Sequence, residues 1–234
     1  MQDLKGRRAL VSGGASGIGR AIAVKLQQQG VTTAVADLSL PENKPDSVYH
    51  FKSDVAAAPA MATLFSEVQE QIGPPDILVC SAGRGIHEKL TEGDPDKWQQ
   101  VIEVNLLGAL RMIRAFVPGM LQQGYGDVVL VSSVAAGQAY SFGGVYAATK
   151  SALEVVAETL RLEVLPAVRV TVVAPGVTDT AFFENAVSGS QTVERIGYGA
   201  IAPEVIADAV LYALQQPAAV AVNNITVRPV AQPF

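Results

Sequence analysis

The chain is poor in the side chains that bind metals or form disulfides. Of its 234 residues one is a cysteine, Cys80, and two are histidines, His50 and His87. A single cysteine excludes an intrachain disulfide. One thiol and two scattered imidazoles exclude a structural zinc site, and no His-Glu-x-x-His occurs. Charge is also sparse: Lys plus Arg number 17 against 22 Asp plus Glu, a net of −5, which leaves no basic footprint for nucleic acid or an anionic membrane surface. No apolar run approaches the ~18 residues of a membrane span. The opening MQDLKGRRALVSGG has neither the apolar core nor the small-residue cleavage site of a secretory signal, so the expected location is the cytoplasm. No Gly-x-Ser-x-Gly elbow is present. A Walker A loop fails because Arg20 and Ala21 stand where Lys and Ser/Thr would follow Gly19.

What the chain has is apolar material in short, regularly spaced runs. Residues 8–12, 32–37, 48–54, 76–83, 127–133, 168–176 and 225–229 read as strands, several apolar at nearly every position, as in sheets covered on both faces. Helical spacing fills the intervals at 17–29, 59–72, 94–124, 146–165 and 203–217. Such alternation predicts one α/β domain over 1–234, a doubly wound Rossmann-like sheet of about seven parallel strands with helices on both faces. Cys80, inside DILVC, reads as a buried, inert thiol. The stretch 181–202 is too long for an ordinary connection and follows a strand end; it is expected to be a substrate lid.

The junction of the first strand and first helix reads VSGGASGIGRAIA. Gly13, Gly17 and Gly19 permit a tight turn and a close ligand approach, with Ser16 and Ile18 between them. The helix N-terminus beyond offers unpaired N–H groups to a pyrophosphate. Asp37 follows Gly19 by 18 residues at the end of the second run. A carboxylate there accepts hydrogen bonds from an adenosine ribose and repels a 2′-phosphate, and Leu38 supplies no offsetting cation, so NAD is expected over NADP. In VYAATK, Tyr146 and Lys150 stand four residues apart, one turn along the same helix face.

With these three features in one chain, the sequence resembles the short-chain dehydrogenase/reductase family from about residue 6 to the C-terminus. Ser12 replaces the Thr of the family's Thr-Gly-x-x-x-Gly-x-Gly. Asp54, with Val55 beside it, matches the acidic residue that contacts adenine. Ser81-Ala82-Gly83 stands for the family's Asn-Ala-Gly. Asn105 matches the helix asparagine of the water relay. Ser133, 13 residues before Tyr146, matches the catalytic serine. Pro175-Gly176 and Thr180 match the segment that embraces the nicotinamide. The resemblance implies catalysis by Asn105, Ser133, Tyr146 and Lys150, homotetramers packed through helices 94–124 and 146–165, and no metal. The C-terminal QQPAAVAVNNITVRPVAQPF resembles a subgroup acting on 3-hydroxy acids and related small alcohols.

The expected reaction is reversible hydride transfer between NAD(H) and a small secondary alcohol or hydroxy acid and its ketone. Lys150 is expected to lower the Tyr146 pKa so that the phenol works as general acid or base, with Ser133 holding the substrate oxygen. Gln138, Tyr140, Phe142, Phe182 and Phe183 are expected around the substrate; His87 falls in the same region without an assigned role. Two other classes fit parts of the pattern: an epimerase or lyase using NAD, and a catalytically silent nucleotide-sensing scaffold.

Overall fold

The computed structural model describes residues 2–40, 47–189 and 191–233. In chain order the elements are β1 (Arg8–Ser12), α1 (Gly17–Gln28), β2 (Thr32–Asp37), β3 (Val48–Lys52), α2 (Ala58–Gln71), β4 (Ile77–Cys80), α3 (Pro95–Ile102), α4 (Ala109–Gln123), β5 (Gly126–Val131), α5 (Gly144–Val164), β6 (Val168–Pro175), α6 (Val193–Ile196), α7 (Pro203–Leu214) and β7 (Asn224–Val227). The strands form one parallel sheet in the order β3-β2-β1-β4-β5-β6-β7. The chain runs outward from β1 to β3, then returns to lay β4 on the other side of β1. That reversal opens a crevice at the carboxyl ends of β1 and β4, the place where open parallel sheets take ligands.

Strand side chains alternate between two cores. On one face Leu10, Leu78, Val128 and Leu130 pack with Leu64 and Val68 of α2, Met112, Phe116 and Met120 of α4, and Leu153 and Leu160 of α5. On the other, Val11, Val35, Val79 and Val129 pack with Ile22 and Leu26 of α1 and Ile206, Val210 and Leu214 of α7. This two-sided cover is why the strands read as unbroken apolar runs.

The segment expected as one helix over 94–124 does run on without a break from Pro95 to Gln123. Asp94 caps its start by accepting from the Asp96 N–H at 3.0 Å, and Gly124 ends it at φ 79. Its interior differs from the expectation: Glu103–Gly108 forms a π-helical turn between α3 and α4. By length and composition alone this helix, among the described residues, could cross a membrane. Here it lies on the sheet, with Met112, Phe116 and Met120 in the core. Two short elements were not expected: a 3-10 turn at Val134–Gly137 and α6.

At the opposite edge from the crevice, near the amino ends of β1 and β5, buried charges tie the sheet together. Arg7 pairs with Asp76 and, at 2.6 Å, with Asp127; Arg169 reaches the other Asp127 oxygen at 2.6 Å. Asp127 is 5% exposed. Removing one member of such a cluster strands the others, because each buried charge relies on its partner to offset lost hydration. Asp127→Ala is expected to cost about 3–5 kcal/mol, read as a lower midpoint in urea unfolding; a loss too small to resolve would show the cluster to be solvated.

Candidate active site

One cleft of about 690 Å³ lies at the carboxyl ends of the strands, and it brings together nearly every residue singled out from the sequence. Gly13, Ser16, Gly17, Ile18 and Gly19 line its floor; Asp37, Asp54 and Val55 line one end; Ser81, Ala82 and Gly83 lie centrally; Ser133, Tyr146, Lys150, Pro175, Gly176 and Thr180 line the rest. Of the expected catalytic and cofactor-binding residues, Asn105 is the one that stands behind the wall.

The floor is shaped by absent side chains. A Cβ on Gly13, at φ 67, would lie 2.8 Å from the Ala82 Cα, and one on Gly19 would lie 2.2 Å from the Gly13 carbonyl oxygen. Ser12 stitches this turn to the end of β4: its hydroxyl oxygen accepts from the N–H groups of Ser81 and Ala82 at 3.2 and 3.3 Å. The substitutions of Ser for Thr at position 12 and of Ser for Asn at position 81 therefore leave that strand end tied. No side chain caps the N-terminus of α1 and no acidic residue stands in its first turn, so its N–H groups and positive dipole end stay available to an anion. Thr180 lies across the turn, its Cγ2 3.3 Å from where a Gly17 Cβ would be. At the edge, the two Asp37 oxygens accept from Ala15 N–H at 3.0 Å and Ser39 N–H at 3.2 Å. Asp54 accepts from Ala56 N–H at 2.8 Å. These bonds fix both carboxylates while leaving lone pairs for hydroxyl groups. A cradle that a single Cβ would fill, an uncapped helix end and a fixed carboxylate fit a dinucleotide.

The reacting end is built by β5 and α5. Ser133 follows β5 and accepts from Ala135 N–H at 3.2 Å, which leaves its own O–H free on the cleft side near Tyr146. Lys150, one turn after Tyr146, is 4% exposed; its ammonium donates to the Val131 carbonyl at 2.8 Å and lies 5.8 Å from the Tyr146 ring centroid. The expected lowering of the phenol by this ammonium is not found. Burial pushes the Tyr146 pKa well above its ordinary value, the Ser133 hydrogen bond opposes this, and the Tyr140 phenol adds to it. Burial likewise lowers Lys150 to about 8. Both shifts favour the uncharged form, as desolvation does for any ionisable group. The same cause pushes the Cys80 thiol up to about 12, in keeping with an inert role.

Asn105, 1% exposed, sits in the π turn. Its Oδ1 accepts from Arg84 N–H at 2.8 Å, and its Nδ2 donates to the Arg84 carbonyl at 3.0 Å and to Thr149 Oγ1 at 3.1 Å. The side chain thus clamps the segment after β4, which carries Gly83, to the helix that carries Tyr146 and Lys150. π turns recur at functional sites because the extra residue redirects one side chain.

The substrate side only partly matches its expectation. Tyr140, Phe182 and Phe183 line the cleft, and the Phe182 ring stands 5.7 Å from that of Tyr146. Gln138 is exposed and Phe142, at φ 69, turns away to pack at 5.3 Å on His87; neither lines the cleft. His87 does line it, bracketed by Tyr140 and Phe142, with its pKa lowered by burial. Within 181–202, Val187 N–H donates to the Gly85 carbonyl at 2.8 Å and Ser188 accepts from His87 N–H at 3.1 Å, while the Ser188 hydroxyl donates to Glu88. Gln232, from the C-terminal tail, also lines the cleft and was not anticipated.

The sequence profile of short chain dehydrogenases matches residues 7–191. The chain belongs to the short-chain dehydrogenase family. A protein named an uncharacterized oxidoreductase in Staphylococcus epidermidis is 34% identical over 98% of this chain and 100% of its own length. The fungal glycine betaine reductase of Emericella nidulans is 35% identical over 99% of this chain, which matches 19% of that longer protein. Among solved structures, an alcohol dehydrogenase of the archaeon Thermococcus sibiricus with 5-hydroxy-NADP superposes at a TM-score of 0.85 and 28% identity, covering 97% of this chain and 98% of its own. A closed serine dehydrogenase with NADP+ gives 0.88 and 27%, covering 97% and 96%. The family binds a nicotinamide cofactor and is an oxidoreductase family, and this chain is a member of it.

The Lys150 shift has a stability consequence. Below about 8 the residue is charged in both folded and unfolded chains and the full burial penalty applies. As pH rises from there toward the unfolded value, only the unfolded chain keeps the proton, so this contribution makes the fold more stable. Lys150→Met is therefore expected to stabilise the free enzyme at neutral pH by about 1–3 kcal/mol, with the gain shrinking in alkali. Denaturant melts at two pH values test this; a destabilised variant would show the ammonium to be well solvated or well paired.

Proposed function

We propose that the protein is an NAD(H)-dependent oxidoreductase that interconverts a small secondary alcohol or hydroxy acid and the corresponding ketone, with Tyr146 as general acid and base. The observation that carries this reading is the convergence of Ser133, Tyr146 and the buried Lys150 ammonium at the wall of a cleft whose floor fits a dinucleotide. A bound nicotinamide would supply or accept the hydride. Gly13, Gly17, Gly19 and the α1 N-terminus would hold its pyrophosphate, Asp37 the adenosine ribose, Asp54 and Val55 the adenine, and the Pro175–Thr180 segment the nicotinamide.

The chain's own residues manage the proton. With its pKa raised, Tyr146 is neutral at ordinary pH and ready to give its proton to an oxygen that is gaining charge. Ser133 faces the same oxygen and steadies its charge by hydrogen bonding. Lys150, still largely an ammonium at neutral pH, favours the phenolate that the transfer leaves behind. Asn105 acts by holding Arg84 and Thr149 in place. The stretch 181–202 serves as a lid, pinned over the cleft by Phe182 and by its bonds to Gly85 and His87. Exposed Leu110 and Leu121 of α4 and Val155 and Leu162 of α5 support a homotetramer packed through those helices, and a cytoplasmic enzyme accords with the composition.

The two structural relatives were solved with 5-hydroxy-NADP and NADP+, whereas Asp37, with Leu38 and Ser39 after it, supports NAD in this chain. A screen of secondary alcohols, hydroxy acids and ketones is expected to give kcat/KM at least about tenfold higher with NAD(H) than with NADP(H), a difference of about 1.4 kcal/mol; equal use of both would contradict the role given to Asp37. Tyr146→Phe is expected to lower kcat by about 10²–10⁴-fold while NADH binding, followed by fluorescence, is retained. A Phe variant with near-normal turnover would end this assignment.

A further inference from the structure

Gln232 belongs to the last residues of the chain, yet it is 7% exposed and lines the same cleft as Tyr146. Its Oε1 accepts from the Val177 N–H at 3.0 Å, a bond buried from solvent. β7 delivers it there. The Val227 carbonyl accepts from Gly176 N–H at 2.7 Å, and the tail then turns, with Gln232 N–H donating to the Pro229 carbonyl at 3.0 Å. The fit between tail and turn is close. A Cβ on Gly176 would lie 2.2 Å from Gln232 Oε1 and 2.5 Å from Arg228 Cβ. Without Gln232, the Val177 N–H has no acceptor at this position, and an N–H left unpaired in a buried turn moves toward water.

We propose that Gln232 is a positioning residue, supplied by the C-terminal tail, that sets the Gly176–Val177 turn against the nicotinamide half of the cofactor. This rests on the reading that the cleft takes a nicotinamide dinucleotide. Strand order carries the assignment to that half. Asp37 ends β2 and Pro175 ends β6, with β1, β4 and β5 between them. Four strand spacings amount to about 19 Å. A dinucleotide held at Asp37 by its adenosine ribose therefore reaches the Gly176 turn only with its far end. Gln232 touches that turn and acts through it.

ADP-ribose has the adenosine, pyrophosphate and second ribose but no nicotinamide, so it separates a role at one end from general support of the cleft. The full-length protein is titrated with NADH by fluorescence and with ADP-ribose by calorimetry. Gln232→Asn is one methylene shorter, so its oxygen falls short of Val177. It is expected to weaken NADH about three- to tenfold, the worth of one hydrogen bond, and ADP-ribose by less than about twofold. Gln232→Glu keeps an acceptor at full reach and is expected to hold NADH affinity within about threefold of the parent. It also carries the test should the Asn variant not fold. Equal weakening of both ligands, unchanged NADH affinity in Gln232→Asn, or loss of NADH affinity in Gln232→Glu would each overturn the proposal. A parent protein that binds neither NADH nor NADPH would instead overturn the cofactor reading beneath it.

Discussion

Placing two ionisable side chains, a half-buried phenol and a buried ammonium, in the wall of one cleft is the constraint on which the rest of this structure depends. Tyr146 and Lys150 stand one turn apart on α5, and burial drives each toward its neutral form. An isolated ammonium there would be costly, and its chief offset is a single backbone carbonyl, that of Val131. On the proposed reading the arrangement gives up stability for chemistry: a phenol that holds its proton until a substrate oxygen asks for it, beside a cation that eases its departure.

That wall exists because of how the sheet is wound. β5 ends in Val131, whose carbonyl anchors Lys150, and continues into Ser133, whose hydroxyl meets Tyr146. β4 leads into Ser81-Ala82-Gly83, held to β1 by the Ser12 hydroxyl. The π turn then aims Asn105 at Arg84 and Thr149, joining the β4 side of the cleft to α5. A side chain on Gly83 would meet both Asn105 Oδ1, at 3.5 Å, and Lys150 Nζ, at 3.6 Å. The amide and the ammonium thus share one small space beside Gly83.

Much of this was legible in the sequence. Strands covered on both faces announce themselves as apolar runs, and β1 and β2 fall at the expected residues. Gly13 and Gly19 mark a turn that only glycine fits. The misses share a physical cause: they depend on depth or on distant chain. Tyr146-x-x-x-Lys150 reveals a neighbour but not how much hydration each loses, so the phenol shifts upward where the spacing alone predicts a fall. The π turn leaves no trace in residue spacing, because its one-residue excess is absorbed within a continuous helix. Phe142 looked like a pocket residue until the chain, bending at φ 69, carried it outward. Gln232 lies 55 residues from the Val177 it holds, a separation that local residue spacing does not bridge.

Tyrosines labelled with carbon-13 at the hydroxyl-bearing ring carbon, followed by NMR as pH rises, measure the central claim directly, with Tyr146→Phe identifying the signal. If burial sets the proton state, the Tyr146 signal in the ligand-free enzyme stays protonated beyond pH 10, the ordinary tyrosine value. A midpoint near neutrality would contradict the account, because the Lys150 charge would then outweigh desolvation and the resting enzyme would carry a phenolate.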